Sequence, residues 1–145
     1  MSKDPHFLAL EEMYRSAPVN QRYQPEISVE EGRAEISIEI DERDFHSAGA
    51  VHGSVYFKML DDAAFFAANA LEKTYFVLTT SFTTYITRPV SKGRMRSVGR
   101  VVNRNRSQFI AEAVVYDDDD REIGRGTGIF VRSKLELSSA DGFGE

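Results

Sequence analysis

The pattern of apolar and polar positions predicts six strands and one long helix. Between residues 27 and 40 apolar side chains occupy alternate positions, which predicts two half-buried antiparallel strands, 27–31 and 34–40, joined across Glu31-Gly32. Four later segments rich in Val, Ile, Thr, Tyr and Phe also predict strands: 74–87, 93–104, 108–116 and 121–134. A turn at Asp117–Asp120 joins the last two strands.

A long segment without glycine or proline, from Ser54 to Lys73, predicts the central helix. It would span roughly 30 Å, and it is apolar on nearly every side, so other elements must wrap it. A shorter amphipathic helix is predicted from Pro5 to about Arg15, with Asp4 as its N-cap. The simplest assembly is an α+β fold in which a curved antiparallel sheet wraps around one long central helix.

Three glycines share one face of the last predicted strand: Gly124, Gly126 and Gly128. Glycines at this period allow another backbone to come close, and we expect the central helix to occupy that space. The polar, glycine-containing C-terminus predicts a short flexible tail. We therefore expect a single domain over residues 1–137 and a tail over residues 138–145.

Composition narrows the chemistry. The 145 residues include no cysteine, which excludes disulfides, a thiol nucleophile and cysteine-bound metal clusters. His6, His46 and His52 have no metal-ligand spacing on a common helix face, so we expect no metal and no cofactor. The N-terminus lacks the pattern of a secretory signal and no apolar run reaches the length of a membrane span, so the expected location is cytoplasmic.

The net charge of −5 conceals one basic block. Residues 73–111 contain eight Lys and Arg side chains and no acidic residue, and such a block is suited to phosphate. The acidic segments on both sides argue against a nucleic acid partner. If 93–106 is one unbroken strand, its arginines share one face: Arg94, Arg96, Arg100, Arg104 and Arg106. The alternative is a solvated face whose charges are balanced by acidic neighbours such as Glu112.

Two adjacent carboxylates interrupt the apolar helix. Lys58 lies four residues before Asp62 and can pair with it on the helix surface, which gives Asp62 a structural explanation. Asp61 has mainly apolar helical neighbours, so we expect partial burial to raise its pKa toward the range useful for a base or nucleophile. Asp61 is therefore the stronger candidate for catalysis.

The start of the long helix is the second candidate position. Gly53 stands where a backbone N–H has no intrahelical acceptor and where the helix dipole adds positive potential. Such a donor can polarise a carbonyl or hold an oxyanion. The alternative is that His52-Gly53-Ser54 only turns the chain into the helix.

Three segments together resemble a known family. The segment from residue 50 to residue 69 reads AVHGSVYFKMLDDAAFFAAN, and the segments 85–90 and 124–130 read YITRPV and GRGTGIF. They resemble the motifs of hotdog-fold acyl-CoA thioesterases of the phenylacetate-pathway (PaaI) type, over residues of about 26–134. In that family a His-Gly-Gly motif is followed, nine residues after the histidine, by an acidic residue, and His52 and Asp61 have this spacing.

The resemblance implies a fold, an activity and an assembly. The fold would be the hotdog fold, and the activity would be hydrolysis of an acyl-CoA thioester. Asp61 would be the catalytic carboxylate, as nucleophile or as general base, and the Gly53 N–H would polarise the thioester carbonyl. His52, the histidine of the motif, would also belong to the catalytic residues. Thr79, or less favourably Ser81, would supply a hydroxyl that orients water. The active site would lie at the interface of a homodimer, alone or within a dimer of dimers, with no membrane partner.

Two positions depart from the family pattern. Ser54 replaces the second glycine of the motif, which adds a side chain at a position expected to contact substrate. His46 stands where the family often has Asn or Gln, six residues before His52, and its imidazole is a candidate to orient water or the carbonyl. These departures also leave open a non-catalytic acyl-CoA or small-ligand binding module.

The substrate can be narrowed only to a class. Phe57 and Phe65 are candidates to line a pocket for a small aromatic or short-to-medium-chain acyl group, although aromatic residues at helical spacing also build cores. Guanidinium groups suit the phosphates of coenzyme A, which makes Arg88, Arg94 and Arg96 candidate ligands.

Overall fold

The computed structural model describes residues 2–144, in which two helices and six strands account for all the predicted elements. The helices are α1 (Pro5–Ser16) and α2 (Gly53–Ala70). The strands are β1 (Glu26–Glu30), β2 (Arg33–Glu39), β3 (Tyr75–Ile86), β4 (Arg94–Arg104), β5 (Phe109–Tyr116) and β6 (Glu122–Glu136). The predicted ends agree with the observed ends to within three residues.

The six strands form one antiparallel sheet in the order β1-β2-β4-β5-β6-β3. β3 follows α2 in the chain but pairs with β6 rather than with β4. As a result β1 and β3 are the two edge strands. The curved sheet wraps around α2, which confirms the α+β hotdog fold.

α2 lies across the middle of the sheet, and one glycine makes this close approach possible. A β-carbon at Gly99 in β4 would lie 2.4 Å from the backbone carbon and oxygen of Ala63 in α2. Real β-carbons do not come this close to a backbone, so the position requires glycine. On the same face of β4, the Ser97 hydroxyl is fully buried beneath α2.

The prediction that the helix backbone lies against the glycines of β6 is wrong. A β-carbon at Gly126 or Gly128 would instead lie 2.5 Å from the ring of Phe82 in β3. Because β3 pairs with β6, the Phe82 ring lies over these glycines and fills the space. A β-carbon at Gly124 would lie 3.0 Å from the carbonyl oxygen of Tyr85.

α2 ends at Ala70, three residues before its predicted end. The amide of Asn69 donates to the carbonyl oxygens of Glu72 and Tyr75, and its side-chain oxygen accepts from the Val77 N–H at 2.9 Å. These bonds tie the end of the helix to the start of β3. Side-chain competition of this kind is not visible in an apolar periodicity.

α1 begins as predicted, because the Asp4 carboxylate accepts from the His6 N–H at 2.8 Å. At the other terminus Leu137 is buried, and the rings of Phe143 and His6 lie 6.0 Å apart. The division into a domain of 1–137 and a flexible tail of 138–145 stays a prediction. Neither helix within residues 2–144 has the length and apolar character needed to cross a membrane.

Candidate active site

Asp61 faces β3, where it meets one of the two predicted hydroxyls. The hydroxyl of Thr79 donates to the Asp61 carboxylate at 2.9 Å. Ser81 lies on the other side of a bulge: Thr79 opposes Phe130 in β6 and Ser81 opposes Ile129, so the residue between them has no partner. The bulge shifts the alternation of β3 by one residue, which leaves Ser81 exposed.

The carboxylate lies between two aromatic pairs. Positions 57, 61 and 65 succeed one another by one turn on α2, and they meet positions 82, 79 and 76 of β3. The rings of Phe57 and Phe82 are 5.7 Å apart, and those of Phe65 and Phe76 are 5.2 Å apart. The Asp61–Thr79 hydrogen bond therefore has an aromatic pair on each side.

The two predicted pocket residues have different surroundings. The residue Phe57 is 42% exposed, so its ring is open to a ligand. Phe65 also packs edge-on against Phe66 and Phe130, so its partly buried ring lies against the core. The part each plays in binding an acyl group stays a prediction.

The surroundings change the acidity of Asp61 in the predicted direction. Burial is the main reason that the pKa of this carboxyl rises to about 6, and the neighbouring Asp62 adds to the rise. The hydrogen bond from Thr79 and the charge of Lys58 act in the opposite direction. At neutral pH the group is largely ionised and is basic enough to accept a proton from water.

Asp62 faces α1 rather than β3. Its carboxylate oxygen accepts from Lys58 at 2.6 Å, which confirms the predicted pair. The same oxygen accepts from the hydroxyl of Tyr14 in α1 at 2.7 Å. Sequence reasoning missed Tyr14, because only the packing of α1 against α2 brings the two side chains together. Asp62 therefore anchors one helix to the other.

The start of α2 is capped by its own histidine. Nδ1 of His52 accepts from the Ser54 N–H at 3.0 Å and also lies 2.9 Å from the Ser54 hydroxyl. The Gly53 N–H is left without an acceptor among residues 2–144. A β-carbon at Gly53 would lie 2.9 Å from the Ile86 side chain, so a larger residue would crowd this donor.

His46 lies in the loop that precedes this helix start. Its backbone closes the loop by bonding to Ala50, and Gly49 supports the turn with a φ of 80°. The exposed ring accepts from the Ala48 N–H at 3.1 Å. In the described part of the chain, neither the His46 ring nor the His52 ring bonds to Asp61. Their predicted catalytic roles stay predictions.

Two of the candidate phosphate ligands are paired with carboxylates on the outer face of the sheet. Arg94 lies 3.4 Å from Glu26 and 3.5 Å from Glu39. Arg96 lies 3.5 Å from Glu35, and its guanidinium stacks 4.7 Å from the centre of the Tyr116 ring. These contacts match the alternative of a charge-balanced surface, with partners other than Glu112.

The prediction that five arginines share one face of β4 is wrong beyond Val101. A bulge follows Val101, after which Arg104 opposes the buried Phe109, so Arg104 has the parity of the inner face. β4 ends at Arg104, and Arg106 lies in the following loop. The extra residue of the bulge could not be read from the spacing of the arginines.

Arg88 lies near the start of α2. Its carbonyl oxygen accepts from the Tyr56 hydroxyl at 2.8 Å, which connects the loop after β3 to the first turns of α2. Its exposed side chain has no carboxylate partner within residues 2–144. Of the three predicted arginines, it is the one that remains available to an external anion.

Comparisons with known proteins identify the family and include the candidate site in the matched range. The sequence model of the thioesterase superfamily matches residues 48–123, which contain the helix start, Asp61 and Thr79. No curated protein sequence matches the chain.

Three solved structures illustrate the similarity. The PaaI protein of E. coli, from the phenylacetic acid degradation operon, is 16% identical with a TM-score of 0.83 over 91% of this chain and 96% of that chain. A thioesterase family protein from Silicibacter pomeroyi is 25% identical with a TM-score of 0.77 over 85% and 96%. AziG from S. sahachiroi is 21% identical with a TM-score of 0.77 over 83% and 100%.

The family match is stronger evidence of function than the similarity of fold, because it is made on the sequence and covers over half of the chain. It includes both the proposed donor at the helix start and the half-buried carboxylate. The protein belongs to the thioesterase superfamily and is an enzyme that hydrolyses thioesters.

Proposed function

We propose that this thioesterase hydrolyses acyl-coenzyme A with a small aromatic or short-to-medium-chain acyl group, and that Asp61 is the catalytic carboxylate. The observation that carries the proposal is the setting of Asp61: a hydroxyl donor holds it between two aromatic pairs, and burial raises its pKa to about 6. The similar E. coli protein comes from a phenylacetic acid degradation operon, which supports an aromatic acyl group.

The residues support two routes. As a general base, Asp61 takes a proton from water while the water oxygen attacks the thioester carbon. The carbonyl oxygen becomes an oxyanion that accepts from the Gly53 N–H. Collapse breaks the carbon–sulfur bond, and the thiolate takes a proton to give the carboxylic acid and free thiol. As a nucleophile, Asp61 displaces the thiolate to form a mixed anhydride, which water then hydrolyses.

Both routes favour a site shared by two subunits. Asp61 follows Gly53 by eight residues on α2, so the two are about 12 Å apart along the helix axis. The groups that attack and polarise one carbonyl must both lie roughly 3–3.5 Å from it. We therefore propose a homodimer, alone or within a dimer of dimers, in which Gly53 of one protomer and Asp61 of the other act on the same substrate.

The edge of the sheet offers an interface for this dimer. β3 carries Thr79 and the aromatic partners of α2, yet no strand of residues 2–144 lies beside its outer edge. Leu78 on this strand is 47% exposed. A long edge strand with exposed apolar side chains usually gains a partner or a cover. Arg88, on the loop that follows β3, would then meet the phosphates of coenzyme A.

The substrate class is tested by measuring release of free coenzyme A thiol from a panel of acyl-CoA thioesters. Wild type is expected to hydrolyse at least one aromatic or short-to-medium-chain substrate, and Asp61→Asn is expected to lose that activity. Arg88→Gln should raise KM for acyl-CoA and leave KM unchanged for a truncated acyl thioester without the nucleotide. Hydrolysis of other thioesters with none of acyl-CoA would contradict the proposed substrate.

Leu78→Asp is expected to convert the dimer into monomers with a parallel loss of hydrolysis. The substitution places a carboxylate from each protomer at one symmetric apolar interface, where like charges repel. Light scattering after size exclusion measures the mass. The control is Val19→Asp, which charges another exposed apolar residue on the 3₁₀ turn after α1. A fully active monomeric wild type would contradict the shared site.

Thr79→Val is expected to move the acidic limb of the pH–rate profile upward by about one unit. The Thr79 hydrogen bond favours the ionised carboxylate, so its loss raises the pKa of Asp61 further. Because the reaction needs the ionised form, a higher pH is then required for the same rate. Ser81→Ala, which removes the exposed hydroxyl beyond the bulge, should leave the profile unchanged. An unshifted limb in Thr79→Val would remove Thr79 from the site.

A further inference from the structure

Lys58 is held in a site built by three other side chains. Its ammonium bonds to the Asp62 carboxylate at 2.6 Å, and it lies 5.3 Å from the centre of the Tyr14 ring and 5.6 Å from that of Tyr23. The Tyr14 hydroxyl donates to the same Asp62 oxygen. Lys58 and Asp62 are both largely buried. The cation is thus fixed on the side of α2 that faces α1.

A second carboxylate on the same helix, that of Asp61, also lies within reach of Lys58. It precedes Asp62 by four residues and Asp61 by three, and both spacings allow an ion pair on a helix surface. An ammonium paired with Asp61 would occupy the oxygens that must receive a proton. It would also stabilise the ionised form and make the carboxylate a weaker base. The structure avoids this pairing, because Asp61 receives a neutral hydroxyl instead.

We propose that Asp62, supported by Tyr14 and Tyr23, is a positioning residue that holds Lys58 away from Asp61 and so keeps the catalytic carboxylate free of a cation. The proposal rests on the proposed function of Asp61. It gives Asp62 a second task beyond joining α1 to α2. Of the two adjacent aspartates, Asp61 then reacts with the substrate and Asp62 binds the nearby cation.

Few titratable groups lie near Asp61, so the influence of Lys58 on it can be measured. From α2 the titratable groups near it are Lys58 and Asp62, from α1 it is Tyr14, and β3 contributes only the neutral Thr79. Burial raises the pKa of Asp61 even though Lys58 acts against the rise. A Lys58 released from Asp62 would oppose the rise more strongly.

The experiment is a double-mutant cycle read as the pKa of Asp61. The pKa is measured by carbon-13 NMR of the carboxyl groups in wild type, Lys58→Met, Asp62→Asn and the double variant, with the Asp61 signal assigned from its absence in Asp61→Asn. Removing Lys58 is expected to raise the pKa by a few tenths of a unit in wild type and by about one unit or more when residue 62 is Asn. Equal changes in the two backgrounds would overturn the proposal.

Activity provides the second readout. The acidic limb of kcat/KM should move to lower pH in Asp62→Asn, with a lower rate at its plateau, and the added Lys58→Met should restore both. Lys73→Met is the control, since it removes a lysine that pairs with Asp4 on the surface. Failure of the double variant to recover would mean that Asp62 is only structural, which would overturn the proposal.

Two outcomes separate this proposal from the function on which it rests. If Asp61→Asn remains active, the proposed function fails, yet the NMR cycle still reports whether Asp62 holds Lys58. If Asp62→Asn does not fold, Tyr14→Phe replaces it in the cycle, because it removes the hydroxyl donor and keeps both charges. The effect of Lys58→Met must then be larger with Phe at residue 14 than with Tyr, and equality overturns the proposal.

Discussion

Replacing Asp61 by asparagine is expected to lower kcat for thioester hydrolysis about 10²- to 10⁴-fold and to leave the fold intact. The amide keeps the size of the side chain and can still accept a hydrogen bond from Thr79. It can neither take a proton from water nor attack a carbonyl. The loss should therefore appear in kcat, with little change in KM. Rapid-quench and steady-state assays of thiol release measure both constants.

The same substitution should stabilise the folded protein at alkaline pH. The pKa of Asp61 is raised to about 6 in the folded state, mainly by burial, so folding favours the protonated form. In wild type, the protonated Asp61 carboxyl stabilises the folded state; this contribution is complete below about pH 4 and is lost as the pH rises through about 6. Asparagine cannot ionise, so the variant does not lose stability in this way. The full shift corresponds to about 3 kcal/mol, and solvent screening of a half-buried group reduces this to about 1–2 kcal/mol.

Urea unfolding at pH 8 and pH 5 measures this difference. At pH 8 Asp61→Asn is expected to be more stable than wild type, and the gap should narrow at pH 5. Asp62→Asn is the matched control on the neighbouring residue, and it should lower stability because it removes the negative charge to which Lys58 and the Tyr14 hydroxyl are bound. If Asp61→Asn is inactive and also less stable than wild type at pH 8, the ionised Asp61 carboxylate does not lower the stability of the folded protein, and this prediction is wrong.

Periodicity predicted the helices and strands well because the burial pattern of each element is written in that element's own residues. The alternation of β2 and the continuous apolar surface of α2 are local signals of burial, and they located both elements to within a few residues. The contrast between Asp61 and Asp62 was also readable, since helical spacing offered Lys58 as a partner for Asp62 and surrounded Asp61 mainly with apolar residues.

Contacts between distant segments were not readable in this way. The Tyr14–Asp62 bond depends on how α1 packs on α2, and the choice of Thr79 over Ser81 depends on a bulge in β3. A bulge adds one residue without changing the composition of a strand. The glycines of β6 were placed on the correct face, but the pairing of β3 with β6 determined that Phe82 covers them.

Gly99→Ala is expected to lower the free energy of unfolding by about 3 kcal/mol, because the added methyl group has no room between β4 and α2. The new β-carbon would lie 2.4 Å from the Ala63 backbone and 2.6 Å from the Ala64 nitrogen. Neither atom belongs to a flexible side chain, so α2 itself must move away from β4. Chemical unfolding measures the loss of stability.

The movement of α2 should also impair catalysis. Ala63 is two residues from Asp61, so a shift of the helix at this point changes the distance between Asp61 and Thr79. A misplacement of about 1 Å can lower a rate by about 10²-fold. We expect the acidic limb of the pH–rate profile to move upward, as in Thr79→Val, because the hydrogen bond that favours the ionised carboxylate is weakened.

Ser97→Ala is the matched control, two residues earlier on the same face of β4. The Ser97 hydroxyl is buried and has no hydrogen-bond partner among residues 2–144, so its removal leaves no group unsatisfied and adds no atom beneath the helix. Stability should change by less than about 0.5 kcal/mol or rise slightly, and activity should be retained. If both variants behave alike, the contact of α2 with Gly99 does not position the catalytic helix. If only Gly99→Ala loses stability and activity, one glycine couples the packing of the sheet to the geometry of Asp61.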